Sequence, residues 1–188
     1  MRCFVALDLP SAVRNHLAKV PARVGSKGGV KWVPAEQMHM TLVFAGELDP
    51  ANVEGLREAV RSIDVPHLSL ALTGLGHFPE RGEPRVVWAG LGGDVEALTK
   101  LFEDLSERAA RHGVPREKRT FVPHVTLGRV KSAFGAYALI DALQAAAKDL
   151  NPKPFEPTGL VLYQSELLRG GPVHTPLLRR PMGAAAAQ

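Results

Sequence analysis

Two spacings of apolar residues alternate along this chain. "RCFVALDLP" near the N-terminus is a short apolar run of the strand kind. Val13, Leu17 and Val20 then fall at i, i+4 and i+7, which predicts a helix with Ser11 as its cap. "VGSKGGV" (24–30) breaks the pattern and reads as a flexible loop, because it lacks the spacing of a phosphate-binding P-loop and no helix start follows. "MHMTLVF" (38–44) predicts a second strand. Asp49 as cap and Pro50 at the first helical position then open a helix that buries Val53, Leu56, Val60 and Ile63. "LSLALTGLGHF" is a third strand.

The same order then repeats. "PRVVWAGL" is a strand, and Leu98, Leu101, Phe102 and Leu105 mark a helical stripe that Gly113 stops. "FVPHVTLGRV" is a strand, Ile140, Leu143, Ala147 and Leu150 mark a helix, and "TGLVLYQSEL" is a closing strand. The plan is one bilobal domain over residues 1–180 with repeat halves 1–84 and 85–180. The small residues of 181–188 read as a disordered tail. Each half is too short to bury a good core alone, so the two are expected to fold jointly about an approximate two-fold axis.

Each half carries the same polar pair on an otherwise apolar strand: His39 with Thr41, and His124 with Thr126. Residues i and i+2 of a strand share a face, so Met40 and Leu42, like Val125 and Leu127, point oppositely into packing. With the axis between these strands, four polar side chains converge on one cleft. Two imidazoles suit acid–base work, one taking a proton while the other gives one, and threonine hydroxyls can donate to the oxygens of an anion between them. A phosphate diester fits this set. A single His-x-Thr carries little information; two at equivalent places of a repeat carry much more. Histidines serving only as structural residues near a cleft are the alternative.

Composition narrows the class without choosing the chemistry. The 188 residues are 45% hydrophobic and 22% charged, as in globular proteins, and no apolar run is long enough to span a membrane. The N-terminal stretch is interrupted by Asp8 and Pro10 too early for a signal peptide, and the single cysteine, Cys3, cannot pair internally. A cytoplasmic protein is expected. The net charge of +4 would assist the approach of an anion. Neither histidine has a second His, a cysteine pair or an acidic cluster at ligand spacing, so neither a metal nor a cofactor is expected.

"HMTL" (39–42) and "HVTL" (124–127) resemble the paired motifs of the two-histidine phosphoesterase superfamily. "WVPAEQMHMTLVFAGEL", "GHFPERGEPRVVWAGL", "FVPHVTLGRV" and "LVLYQSELLRGGPVHTPL" extend the resemblance to the RNA 2′,3′-cyclic phosphodiesterases, also called RNA 2′-5′ ligases, from about Arg2 to Leu178. The resemblance implies a bilobal α+β fold with two antiparallel sheets facing a central groove and helices packed outside. It implies hydrolysis of 2′,3′-cyclic phosphates, on RNA ends or on nucleotides, to 2′-phosphomonoesters. His39 would be the general acid, His124 the general base, and Thr41 and Thr126 would position the phosphate. The expected partners are RNA ends and cyclic nucleotides, with no membrane, and the expected state is a monomer. A ligase joining cyclic-phosphate and 5′-hydroxyl ends is the alternative within the same chemistry, and a non-catalytic RNA-end binding module the alternative outside it.

Supporting residues follow from position. Arg129 resembles the family arginine after the second motif and is read as a phosphate contact, with an exposed surface arginine as the alternative. It stands five after His124, an odd offset, so a bulge at Gly128 is needed to aim it. Phe44 stands five after His39 and could stack on a nucleobase or pack in the core. In "GHFPERGEPR" (76–85), read as a long loop, His77 and Phe78 are placed to touch a base and Arg81 or Arg85 a phosphate. Trp32 and Trp88 read as core, and His16, His67, His112 and His174 are assigned no chemistry.

Overall fold

The computed structural model describes residues 1–118, 120–132 and 135–187. Strand β1 (Arg2–Asp8) leads through two short helices, α1 (Ser11–Leu17) and α2 (Val20–Val24), to β2 (Val30–Trp32) and β3 (His39–Glu47). Helix α3 (Pro50–Arg61) and β4 (Leu70–Phe78) follow, then β5 (Val86–Gly93), α4 (Val95–Ala110), β6 (His124–Val130), α5 (Ala136–Ala147) and the hairpin β7 (Gly159–Leu168) and β8 (Gly171–Arg180).

The strands form two four-stranded antiparallel sheets, ordered β3-β1-β7-β8 and β2-β6-β5-β4. The fold is α+β and two-lobed, and the halves of the chain interlock. Strand β4, from the first half, pairs with β5, while β7, from the second, pairs with β1. Helices are exchanged as well: α4 packs on α3 and β3, and α2 packs on α5. Apolar faces from both halves, including Leu7, Met40, Leu56, Leu98, Leu105, Leu127, Leu139 and Leu143, are therefore buried in one continuous core. Among the described residues no helix is long and apolar enough to cross a membrane.

Local chemistry explains most of the elements and corrects some expectations. Asp49 caps α3, accepting from the Asn52 N–H at 2.8 Å with Pro50 at the first helical position. Ser11 is the first residue of α1 and not its cap, a place taken by Pro10, and the predicted single helix breaks after Leu17. The Gly-rich stretch is a packed turn: at Gly28, where φ is +70°, an added Cβ would come within 2.7 Å of Leu139. Residues 76–78, predicted both to close the third strand and to open the loop that follows it, belong to the strand: they end β4 and pair with β5.

The C-terminal stretch is held in place, contrary to the disordered tail expected of it. The Ala184 carbonyl accepts from the Val65 N–H at 2.9 Å, and the Ala187 N–H donates to the Arg61 carbonyl at 3.1 Å. Gln188 lies outside the described residues. The reason is Arg180, only 8% exposed, whose guanidinium donates to the carbonyls of Val60, Arg61 and Ile63 at the end of α3 and to those of Ala184 and Ala185. It brings a charged donor to helix-terminal carbonyls of α3, among which that of Arg61 also accepts from Ala187. Arg180→Ala is expected to cost roughly 2–4 kcal/mol, since the carbonyls of Val60, Ile63 and Ala185 lose a charged donor in a largely buried place. A urea melt reads this, and an unmoved midpoint would show that the guanidinium does not hold the tail.

Candidate active site

The two His-x-Thr strands are neighbours across the sheets: Cα atoms of β3 and β6 approach within 8 Å although the strands belong to different sheets. Both strands carry the same irregularity. Opposite β1, Val43 pairs with Val5 and Thr41 with Ala6, so Leu42 is an extra residue. Opposite β5, Gly128 pairs with Val87 and Thr126 with Trp88, so Leu127 is the extra residue. The bulge thus falls at Leu127, one residue before the glycine expected to form it. A bulge places two successive side chains on one face, and the burial of the two strands agrees. Met40, Leu42 and Val43 are buried, as are Val125, Leu127 and Gly128, while the residue five after each histidine is exposed. Arg129 is thereby returned to the face of His124 and Thr126, and Phe44 to the face of His39 and Thr41.

The histidines are held alike. His39 Nδ1 lies 2.7 Å from the Gln37 carbonyl, and His124 Nδ1 lies 2.7 Å from the Val122 carbonyl. A carbonyl only accepts, so Nδ1 carries the hydrogen in both rings. In each neutral ring Nε2 is then the basic nitrogen, and neither Nε2 has a partner among the described residues. The hydroxyls of Thr41 and Thr126 are also without hydrogen bonds there. The site therefore presents two nitrogens for proton transfer and two hydroxyl donors.

The surroundings of the two imidazoles differ. His39 stacks on Phe4 with centroids 4.8 Å apart, and His174 of β8 stands edge-on to it at 5.6 Å and 84°. His124 is met edge-on by Phe78 at 5.0 Å and 84°. A titratable ring thus occupies on one side the place a phenyl ring takes on the other. Burial pushes the His39 pKa down to about 4, with the Gln37 carbonyl opposing and the nearby His174 adding to the depression. Burial also lowers His124, against the pull of the Val122 carbonyl.

Beside His39, the Tyr163 hydroxyl donates to both oxygens of Asp8 at 2.7 and 2.9 Å, and Arg179 donates to the same carboxylate at 2.7 Å. Burial first, and then the acceptor carboxylate, push the Tyr163 pKa up to about 12, so it remains a donor. Asp8, Arg14, His39, Tyr163, His174 and Arg179 line part of a cavity of about 490 Å³. Gln37 fastens this side twice: its backbone carbonyl holds His39, and its amide donates to the Pro172 carbonyl of β8 at 2.9 Å.

Of the residues singled out from sequence, His39, Thr41, His124, Thr126, Phe78 and Arg129 lie on or beside this paired-strand face. Arg129 is exposed, and its guanidinium meets no carboxylate among the described residues. Phe44 is 56% exposed, which removes the core alternative, and the Arg2 guanidinium lies 5.0 Å from its ring centroid. Trp88, expected in the core, is half-buried against Phe78 and near His124; Gly76 accommodates its indole, since a Cβ there would come within 2.4 Å of the ring. His77 is turned to the Pro79 carbonyl. Asp8, Gln37, Tyr163, His174 and Arg179 were not assigned roles from sequence. A carboxylate inside the apolar run "FVALDLP" was a usable signal for Asp8; His174 carries none, because its ring reaches His39 across the two strands that separate β8 from β3. Among the described residues no group of three or more His, Cys, Asp or Glu could hold a metal ion.

This fold and this pair of imidazoles define a two-histidine phosphoesterase. A family model described as LigT like Phosphoesterase matches residues 7–88 and again residues 93–174, and the chain belongs to that family. A Thermotoga maritima protein named RNA 2′,3′-cyclic phosphodiesterase is 32% identical over 179 residues, 93% of this chain and 91% of its own. One of the same name from Methanocaldococcus jannaschii is 32% identical over 175 residues, 93% of this chain and 96% of its own. The structure is similar to that of E. coli LigT complexed with 3′-AMP, with a TM-score of 0.77 and 28% identity over 97% of this chain and 98% of that one.

The edge-on contact generates a measurable expectation. Two imidazolium charges about 6 Å apart in a partly solvated site repel, so removing one favours protonation of the other. His174→Phe, which keeps the ring and removes the charge, is expected to raise the His39 titration midpoint by about half to one pH unit and leave His124 unmoved. Imidazole resonances followed by NMR through pH 3–8 read both midpoints. Equal midpoints in the variant and the parent would show that the rings are not coupled.

Proposed function

We propose that this protein is a metal-independent phosphodiesterase that opens 2′,3′-cyclic phosphates, on RNA ends or on nucleotides, to leave 2′-phosphomonoesters. The observation that carries this reading is the duplicated Nδ1–carbonyl contact, which leaves two equivalent Nε2 atoms on neighbouring strands. The names of the relatives from Thermotoga and Methanocaldococcus support the same substrate class.

In this mechanism His124 Nε2 takes a proton from water as the water oxygen bonds to phosphorus. The P–O3′ bond breaks, and His39 gives its Nε2 proton to the departing O3′. His124 ends as imidazolium and His39 as neutral imidazole, and exchange of one proton each with solvent restores the start. Thr41 and Thr126 donate to the non-bridging oxygens and Arg129 offsets their charge. Phe44, backed by Arg2, and Phe78 provide ring faces for bases. The same residues, with a 5′-hydroxyl in place of the attacking water, would join that hydroxyl to the cyclic end as O3′ departs, and the abundance of water favours hydrolysis. Both motif strands come from one chain, which supports a monomer, and the reading includes a cytoplasmic setting where RNA ends are met.

Hydrolysis of a 2′,3′-cyclic nucleotide in excess chelator, with the product identified, tests the reading. A 2′-phosphate formed at an undiminished rate is expected; a metal requirement or a 3′-phosphate product would refute it. His39→Ala and His124→Ala are each expected to lower kcat by about 10²–10⁴, the usual worth of a general acid or base, and a near-native rate in either would exclude paired-imidazole catalysis.

The pKa directions fix the expected pH dependence. The active form carries a proton on His39, near 4 in the free protein, and none on His124, below 6.5. The kcat/KM bell should therefore lie on the acid side of 6.5. A bound phosphate anion favours both imidazolium forms, so the limbs of kcat should move to higher pH than those of kcat/KM. Superimposable limbs would show that the phosphate does not contact the imidazoles.

A further inference from the structure

The cavity of about 490 Å³ next to His39 is not explained by the reacting phosphate alone. His39 lines it, but Thr41, His124 and Thr126 do not, so it lies to the His39 side of the reacting phosphorus. In-line attack fixes what occupies that side. Water arrives from the direction of His124, and the departing O3′ meets His39, so the terminal ribose is carried toward His39. The C5′ of that ribose bears the phosphodiester that continues the RNA chain.

The charged groups around the cavity are Asp8, Glu36, Arg14, Arg179 and the titratable His174. Asp8 and Arg179 satisfy one another, and Asp8 is further occupied by Tyr163. Arg14 is different. It is half-buried, its Nε is shielded from solvent with no hydrogen-bond partner, and its guanidinium joins no ion pair among the described residues. Glu36, exposed at the rim of the same cavity, is not within ion-pair distance of it. A partly desolvated guanidinium without an anion is uncommon, and it matches a phosphodiester in charge and geometry.

We propose that this cavity seats the phosphodiester immediately upstream of the cyclic end, with Arg14 as its cation, so that the protein acts on RNA ends in preference to mononucleotides. The proposal rests on the reaction and the roles of His39 and His124 given above.

The test compares kcat/KM for a 2′,3′-cyclic mononucleotide with that for the dinucleotide carrying one further phosphodiester, in the parent, Arg14→Ala and Arg14→Lys. The parent is expected to favour the dinucleotide by about tenfold, the worth of one charge-assisted contact. Arg14→Ala should bring the ratio close to one, chiefly through KM, and Arg14→Lys should recover part of it. A parent ratio near one, or an Arg14→Ala ratio equal to the parent's, would overturn the proposal. If the parent turned over neither substrate, the reaction assigned above would fail, and the subsite would still be decided by calorimetric binding of a dinucleotide 2′-phosphate against a mononucleotide 2′-phosphate. Tighter dinucleotide binding that Arg14→Ala abolishes supports the subsite; equal binding in the parent, or an advantage that survives Arg14→Ala, removes it.

Discussion

Neither half of this chain can complete a sheet from its own strands. The pairing of β7 with β1, and of β4 with β5 and β2 with β6, gives each sheet two strands from the other half, β7 and β8 in one and β4 and β2 in the other. Without the exchange, β1 and β5 would each expose a row of unpaired backbone groups and the apolar faces beneath them. The exchange also decides where the chemistry lies. It anchors β1 and β5, the strands against which β3 and β6 are laid, and so brings the two motif strands side by side. The active face is a by-product of solving a packing problem that each half has in duplicate.

Duplication makes the site symmetric in what it must do and asymmetric in how it can do it. The bulges at Leu42 and Leu127, and the carbonyls of Gln37 and Val122, treat the two histidines identically. What distinguishes them comes from residues outside the motifs. Asp8 stands opposite His39 and Gly90 opposite His124. His174 meets one ring and Phe78 the other. Five residues on, one strand presents Phe44 and the other Arg129. Two chemically equal imidazoles thus acquire different surroundings, which is what the proposed division into acid and base calls for.

The repeat, the polar pairs and the face they share were legible because strand periodicity has only two outcomes at each position, and a duplicated pattern reinforces itself. The odd offset of Arg129 was legible as a problem that a bulge could solve, although the bulge falls at Leu127 and not at Gly128. Contacts made across intervening strands were not legible. His174 and Tyr163 lie more than a hundred residues from His39, and no local pattern around them signals their meeting. The tail misled for a similar reason: its small residues carry no packing signal of their own, and its carbonyls at Ala184 and Ala185 accept from the distant guanidinium of Arg180. Trp88 read as core because an indole in an apolar strand usually is; Gly76 on the neighbouring strand is what lets it lie toward His124.

Gln37 has a mechanical consequence. One residue grips the imidazole through its main chain and the β7–β8 ribbon through its side chain. Any force that lifts the ribbon at Pro172 therefore tugs on the peptide that sets the tilt of His39. Whatever touches the turn at Arg169 and Gly170, which adjoins Pro172, has a short lever onto the tilt of the His39 ring.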